Sequence, residues 1–413
     1  MMKRIIIVCL VLVLTLISCK PISNETSLKN ELNKDKQVVS SDKQIDEELP
    51  STYKPMVVKN YSVSDNLKKI SFKLMETQGI PAIFLKEPSE YKTKNPWLSN
   101  KDIRVLPVFK NKDYNLKYHE GPVEYLNEEE AVEVSLIVAE KIGIDSTYYE
   151  CENLGSSYII YFPNKLEPVV TIEPSIDEIR LFFDLENNEK ISLPNIEEEK
   201  EDLLHEKYLK YYYDLFESIL KMEQPIFECA FERDIYGDKM YTYKIFNQED
   251  TVEDTIVNYN TDYVWMYINT DKTNSENNGL RIINITYSQL MKVLDASEYE
   301  DTVIEKLAKR NELEVVGYYP LISEEEALEK VLRKEYISAI EYDRDIELSD
   351  IMSIELTYYW VPVNEEILPA YEVYLDLRDT RYYDFNDDYD LKLYGLFFVP
   401  AIEERYLEII KTN

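Results

Sequence analysis

The stretch LNEEEAVEVSLIVAEKIG, residues 126–143, predicts a helix that is marked at both ends. Asn127 can cap the first turn with its side-chain oxygen, and the three glutamates after it suit the positive end of the helix dipole. Val134 and Val138 recur at helical spacing and indicate one buried face. Gly143 is expected to end the helix, because glycine readily adopts the left-handed backbone that follows many helices.

The same order of elements returns near the end of the chain. ISEEEA at residues 322–327 resembles LNEEEA at residues 126–131, at an offset of 196 residues, and Ser323 with Glu326 has the pattern of a capping box. Segments rich in Ile, Val, Tyr and Phe follow each helix and predict strands, at residues 157–162, 169–173 and 178–184 and again at 354–362, 370–377 and 391–400. Two copies of one module would explain the match, and so would two independent helix starts.

The predicted fold class is α+β, with two antiparallel-sheet modules that each carry packed helices, because a helix laid across a sheet buries both apolar faces. The length of 413 residues suits two globular units. We place a first domain at residues 55–198 and a second at residues 199–413, with a long helix over residues 204–220 after the boundary. Further strands are predicted at residues 226–231, 240–246, 263–268 and 280–287.

Three shorter elements are predicted from local pattern alone. Residues 66–77 and residues 403–411 are each expected to form a short helix. Residues 104–109 favour a strand, and Pro107 indicates an edge position because proline cannot donate a ladder hydrogen bond.

The first 19 residues, MMKRIIIVCLVLVLTLISC, have the order of a bacterial export signal: a short positive segment followed by an apolar run too short for a comfortable membrane span. The run ends in Leu16-Ile17-Ser18-Cys19, which resembles the lipobox of bacterial lipoproteins, although Ile17 is bulkier than the residue most common there. The resemblance implies cleavage before Cys19 and a diacylglyceryl group on its sulfur. An uncleaved membrane anchor is the alternative.

The resemblance also predicts where the rest of the chain resides. Residues 1–18 would be the signal peptide, and residues 19–54, which are rich in Ser, Asn, Lys, Asp and Glu, would form a flexible tether. The folded part would then lie outside the cytoplasm, held to a membrane by the lipid on Cys19. The sequence leaves open whether this is the cytoplasmic membrane or an outer membrane.

Composition and motifs argue against several kinds of chemistry. The formal net charge is −34, which disfavours nucleic acid and anionic lipid headgroups as partners. The only two histidines, His119 and His205, have no zinc-protease or catalytic-triad context, and no phosphate-binding loop is present. Outside the export signal and Cys19, only Cys151 and Cys229 remain; they could form one disulfide or be two buried thiols, and we favour the thiols slightly.

One acidic loop has the alternating oxygen donors of a calcium site. Asp384, Asn386, Asp388 and Asp390 occupy alternate positions in this loop. The loop departs from the EF-hand pattern at its sixth and twelfth positions, which are Tyr and Gly. A solvated hairpin tip is therefore the alternative to weak calcium binding, and no other cofactor is expected.

The C-terminal part resembles two kinds of extracytoplasmic regulatory module. The helix that begins at Ser323, followed by hairpin strands, is similar to PepSY-like modules of secreted bacterial proteins. The segments LPAYEV, residues 368–373, and FFVPAI, residues 397–402, are similar to the closing hairpin of YycH-like regulators. These resemblances cover at most 90 residues or so of the chain and imply a regulatory role without catalysis.

Three functions remain open from sequence. The first is a lipid-anchored binding or regulatory lipoprotein without catalytic activity, with a protein partner at the membrane surface. The second is a surface enzyme or a solute- or glycan-capture protein that acts on envelope polysaccharide. The second would require an aromatic-lined cleft with two close carboxylates. A structural envelope lipoprotein is a third possibility.

Overall fold

The computed structural model describes most of the chain between residues 61 and 411. The described residues are 61–74, 82–90, 103–112, 126–155, 157–164, 167–175, 178–183, 191–194, 201–233, 239–270, 279–294, 299–300, 302–309, 312–338, 340–359, 365–378, 380–381 and 391–411. They all fall within one unit of dense contacts, Ser51–Asn413.

The described residues form seven α-helices and sixteen strands. The helices are α1 (Glu128–Lys141), α2 (Glu201–Leu215), α3 (Glu217–Leu220), α4 (Val252–Thr261), α5 (Tyr287–Val293), α6 (Val303–Lys309) and α7 (Glu324–Leu332). The strands are β1 (Ile70–Leu74), β2 (Ala82–Leu85), β3 (Val105–Asn111), β4 (Glu150–Asn153), β5 (Tyr158–Asn164), β6 (Glu167–Pro174), β7 (Glu178–Phe183), β8 (Pro225–Arg233), β9 (Lys239–Asn247), β10 (Tyr263–Asn269), β11 (Gly279–Thr286), β12 (Leu313–Pro320), β13 (Ile351–Tyr359), β14 (Glu366–Asp376), β15 (Lys392–Pro400) and β16 (Leu407–Lys411).

Fourteen of the strands form one sheet. Its order is β12-β3-β14-β15-β2-β8-β9-β10-β11-β7-β6-β5-β4, and β13 pairs with β14 outside this path. β1 and β16 form a separate parallel pair. The fold is therefore α+β with an extensive antiparallel sheet, as the sequence predicts. Within the described residues, no helix combines the length and apolar character that crossing a membrane requires.

α1 forms where the sequence predicts it, because its caps are local. The Asn127 side chain accepts a hydrogen bond from the backbone N–H of Glu130 at 3.0 Å, and the Glu130 carboxylate accepts one from the N–H of Asn127 at 3.0 Å. Val134 and Val138 are fully buried. Gly143 follows the helix with φ +76°, which suits the absence of a side chain.

The sheet joins the two segments that the sequence analysis separates at residue 198. β7 of the first segment pairs with β11 of the second, and β3 lies between β12 and β14. Two apolar clusters form the core, and each contains residues from both segments, such as Phe109 with Phe397 and Val134 with Ile283. The sheet and the core thus extend across the boundary predicted at residue 198. Pairing between distant strands produces no local sequence pattern, so the sequence does not indicate it.

Two predicted helices are wrong. Asn66 lies in a turn, and β1 begins at Ile70; residues 75–77 lie outside the described residues. At the other end, a short 3-10 turn at Glu404–Tyr406 leads into β16. The two segments pair with each other in parallel over five residue pairs. Backbone hydrogen bonds to a partner more than 300 residues away therefore override the local preference of both segments.

The predicted edge position of Pro107 is corrected in one respect. β3 is an interior strand, but Pro107 pairs only with Tyr318 on β12, since the ladder to β14 is confined to Phe109 and Lys110. The carbonyl of Pro107 accepts a hydrogen bond from the Tyr358 hydroxyl at 2.9 Å. Proline is tolerated at residue 107 because the pairing with β14 does not reach it, so β14 needs no N–H from this residue.

Candidate functional site

A polar cluster lies between two groups of strands that are distant in sequence. We call it the Lys244 cluster: Glu228 on β8, Lys244 on β9, Tyr259 on α4, Glu355 on β13 and Glu372 on β14. Lys244 is buried, whereas the other four side chains are half-buried. Buried charge of this kind is costly, and a cluster of it marks a candidate functional site.

Strand register brings the charged members together in two groups. Glu228 lies directly opposite Lys244, and Lys244 lies directly opposite Trp265 on β10. Glu355 lies directly opposite Glu372 on the neighbouring pair of strands. Residues that face each other across antiparallel strands point to the same side of the sheet, so each group shares one face.

α4 connects these two groups through Tyr259. The helix begins after Thr251, whose side chain accepts a hydrogen bond from the N–H of Asp254 at 3.1 Å. The Tyr259 hydroxyl forms side-chain hydrogen bonds with Glu228 and with Thr357 on β13. One tyrosine therefore bridges β8 and β13, and burial together with the charge of Glu228 raises its pKa well above the ordinary value.

The Lys244 ammonium group is surrounded by aromatic rings. Its Nζ lies 3.4 Å from the ring centroid of Tyr259, 4.4 Å from that of Tyr263 and 5.5 Å from that of Trp265. Cation–π attraction at these distances is favourable and is strongest when water is excluded. Burial nevertheless lowers the pKa of Lys244, and the nearby charges of Glu228 and Glu372 oppose that shift.

The carboxyl groups outnumber the one ammonium group and therefore tend to hold protons. Burial raises the pKa of Glu228, against the opposing effect of Lys244. Burial, followed by repulsion from Glu372 and Glu228, raises the pKa of Glu355 to about 8. Oε2 of Glu228 is buried without a hydrogen-bond partner. Glu228 and Glu355 therefore hold their protons to a higher pH than exposed glutamates do.

A cavity of about 390 Å³ lies beside α4, between α5, α6 and the start of β12, and we call it the α4–α6 cavity. Three ion pairs line it. Their nitrogen–oxygen distances are 3.1 Å for Lys112–Glu312, 2.7 Å for Lys292–Asp262 and 2.7 Å for Lys309–Glu305. The remaining lining is mostly apolar and includes Val257, Met291, Ala308 and Leu313.

Lys292 ties the cavity to the interior of the fold. Its Nζ also donates to Oδ1 of Asn258 at 3.0 Å. The amide nitrogen of the buried Asn258 donates to the backbone carbonyl of Asn247 at 3.1 Å and to Glu249 at 2.9 Å. α4 thus presents Tyr259 to the Lys244 cluster and its neighbours Val257 and Thr261 to the cavity.

Most residues that the sequence analysis singles out are not described. Leu16, Ile17, Ser18 and Cys19 lie outside the described residues, and so do His119 and the acidic loop with Asp384, Asn386, Asp388 and Asp390. His205 lies in α2, but its side chain is not among those described. Within the described residues, no group of three or more His, Cys, Asp or Glu side chains is arranged to hold a metal. The lipid anchor and the calcium loop remain predictions.

Cys151 is a free, half-buried thiol on β4. Burial, with a smaller contribution from the charge of Glu128, raises its pKa, so it is a weak nucleophile. The backbone of Cys229 lies in β8, and its side chain is not among those described.

Sequence reasoning did not single out any member of the Lys244 cluster. One signal was available: Lys244 alternates with Thr242 and Phe246 on one face of β9, and Glu372 stands between Tyr371 and Val373. A charge inside a buried strand needs a partner. Which partner it meets depends on strand pairing and on α4, which the sequence analysis did not predict.

Comparison of the chain with protein-family models, with curated proteins and with solved structures gave no match. The similarity to lipoproteins and to PepSY-like and YycH-like modules therefore stays a prediction from the sequence.

Proposed function

We propose that this protein is a lipid-anchored extracytoplasmic binding or regulatory lipoprotein without catalytic activity. The α4–α6 cavity is the observation that carries the binding function. Its volume of about 390 Å³ lies in the range of small-ligand sites, roughly 300–1,000 Å³. Its charged side chains are paired with one another beside an apolar surface, which suits recognition more than bond cleavage.

The proposed location follows from the lipobox-like segment at residues 16–19. A lipid on Cys19 would hold the folded part at a membrane surface. A membrane-protein partner there would distinguish the ligand-bound protein from the ligand-free protein. The net charge of −34 disfavours nucleic acid as that partner.

Crosslinking in living cells tests this proposal. The native protein is compared with Cys19→Ala, which lacks the lipid site, and with Met291→Trp, which fills the cavity. Leu348→Trp is the matched control, because Leu348 is 66% exposed and does not line the cavity. Crosslinked partners are identified by mass spectrometry.

We expect one membrane-protein partner that is lost in Cys19→Ala, altered in Met291→Trp and unchanged in Leu348→Trp. Crosslinks to wall or glycan material alone would refute the regulatory function. A partner that is captured equally by all four forms would refute the role of the anchor and of the cavity.

A second candidate is a surface enzyme or glycan-capture protein acting on envelope polysaccharide. The Lys244 cluster favours it, because carboxyl groups with raised pKa adjoin aromatic rings that can stack on sugars. Glu228 would act as proton donor and Glu372 as the second carboxylate. Release of soluble fragments from cell-wall glycan by the native protein, lost in Glu228→Gln and in Glu372→Gln, would support the enzyme. Binding without release would support capture alone.

A further inference from the structure

We infer that the α4–α6 cavity binds a short zwitterionic peptide, with the peptide ammonium group beside Asp262 and Glu305 and its carboxylate beside Lys292 and Lys309. This inference rests on the proposed binding function and names the class of ligand. It follows from the size of the cavity, the balance of its charges and the order in which those charges are buried.

The charges of the lining are balanced. Three lysines and three acids surround the cavity, and each lysine is within 3.1 Å of an acid. A ligand with a single charge would leave one protein charge without its partner, whereas a zwitterion replaces both members of a pair. Because Asp262 and Glu305 are mostly buried, a ligand must supply a new counter-charge for each charge that it separates, which a zwitterion does.

The depth of the charges gives the ligand a direction. The side chains of Asp262 and Glu305 are 13% and 21% exposed, whereas those of Lys292 and Lys309 are 41% and 58% exposed. The acids are therefore less exposed than the lysines in both pairs, whereas the third pair, Lys112 with Glu312, is 46% and 52% exposed. A bound peptide would place its ammonium group inward and its carboxylate toward solvent.

The rest of the lining suits apolar side chains of a peptide. Val257, Met291, Ala308 and Leu313 supply this surface, and the flexible Met291 can adjust to different side chains. The hydroxyls of Ser288 and Thr261 each donate to a carbonyl of the protein, to Ala308 at 3.2 Å and to Val257 at 2.9 Å. Their oxygens remain available to accept from peptide N–H groups.

Calorimetric titration of the full-length lipoprotein in detergent micelles tests the ligand class. The probes are the dipeptide Leu-Leu, its N-acetyl form, which lacks the ammonium group, and its amide, which lacks the carboxylate. We expect Leu-Leu to bind and each blocked form to bind at least about tenfold more weakly, which corresponds to about 1.4 kcal/mol. Equal binding of all three peptides, or no binding of Leu-Leu, would overturn the inference.

Substitutions assign the two ends of the peptide. Asp262→Asn should weaken Leu-Leu about tenfold and leave the N-acetyl form unchanged, and Lys292→Gln should do the same with respect to the amide. Lys210→Gln is the control, because Lys210 pairs with Asp214 on the same helix, α2, and does not line the cavity. An identical loss for all peptides in Asp262→Asn would indicate damage to the fold and contradict the assigned orientation.

The two proposals fail in different ways. If Leu-Leu does not bind but the in-cell partner still depends on Met291, the ligand class is wrong and the binding function stands. If neither the peptide nor the in-cell partner depends on the cavity, both are wrong.

Discussion

Glu355 makes the stability of the fold depend on pH. Its pKa is raised to about 8 by burial and by the charges of Glu372 and Glu228. The folded state therefore keeps a proton that the unfolded chain releases near pH 4.5. Between these two values the folded state binds more protons, so this group makes the protein less stable as pH rises.

Glu355→Gln should remove this dependence. Glutamine cannot ionise, so the variant should be more stable than the native protein at pH 8.5, by on the order of 2 kcal/mol, and close to it at pH 5. Urea unfolding at the two pH values measures the difference. Glu300→Gln, at an exposed turn, is the control and should show no such change. A variant whose advantage is the same at both pH values would contradict the assignment.

Lys244 stabilises the cluster, because its positive charge offsets the negative charges of the carboxyl groups. Lys244→Met should destabilise the protein by about 3 kcal/mol at pH 8, since it leaves buried carboxylates without their counter-charge. The loss should be smaller at pH 6, where the carboxyl groups take up protons.

Two controls accompany Lys244→Met. Lys210→Met removes a lysine whose partner on the same helix, Asp214, is 59% exposed, and should cost less than about 1 kcal/mol. Adding Glu228→Gln to Lys244→Met should recover part of the loss, because it removes one of the uncompensated charges. The role of Lys244 is disproved if its substitution costs no more than that of Lys210 in denaturant unfolding.

At the scale of elements, signals carried by neighbouring residues are reliable and those that need a distant partner are not. The sequence predicts α1 because Asn127 and Glu130 cap this helix within one turn. The helices expected at residues 66–77 and 403–411 are wrong because β1 and β16 pair with each other. α4 was not predicted, although Thr251 and Asp254 carry a capping signal, because the helix is short and lies between two strands.

Gly279, at the start of β11, packs closely against the backbone of residues 191 and 192. Gly279 has φ +136°, and a Cβ there would come within 2.9 Å of Cα of Ser192 and closer still to the carbonyl oxygen of Ile191. Gly279→Ala should therefore destabilise the protein by more than about 3 kcal/mol. The added Cβ would strain the backbone at this φ and would push residues 191 and 192 away.

Gly143→Ala is the matched comparison. Gly143 also has a positive φ, +76°, but a Cβ there has nothing within 4 Å. Gly143→Ala should lower the free energy of unfolding by only about 1 kcal/mol, which is the strain of an alanine in the left-handed conformation. Denaturant unfolding of both variants checks the order, and equal losses would show that the contact with residues 191 and 192 is unimportant.

The two segments on either side of residue 198 do not form separate sheets. Strands from both segments are interleaved in one sheet, and both apolar clusters contain residues from each segment. The ladder between β2 and β8 is a single pair, Phe84 with Arg233, but α4 and the Lys244 cluster connect the flanking strands as well.

Calorimetry at pH 6 should therefore show one unfolding transition for the folded part, with the calorimetric enthalpy equal to the van't Hoff enthalpy. Limited proteolysis near residues 195–200 should not release two stable fragments. Two separate transitions would instead support independent domains at residues 55–198 and 199–413.

Local patterns in the sequence predict the α+β class, the capped helix α1 and most of the strands, because caps and alternation depend on neighbouring residues. The lipid anchor also follows from a local pattern, and it stays a prediction. Only the tertiary structure decided which strands pair, that β1 and β16 are strands, and that Glu228, Lys244, Tyr259, Glu355 and Glu372 meet. The pairing of β1 with β16 and the meeting of Glu228 with Glu355 depend on contacts across more than 100 residues, where burial and backbone hydrogen bonding outweigh local preference.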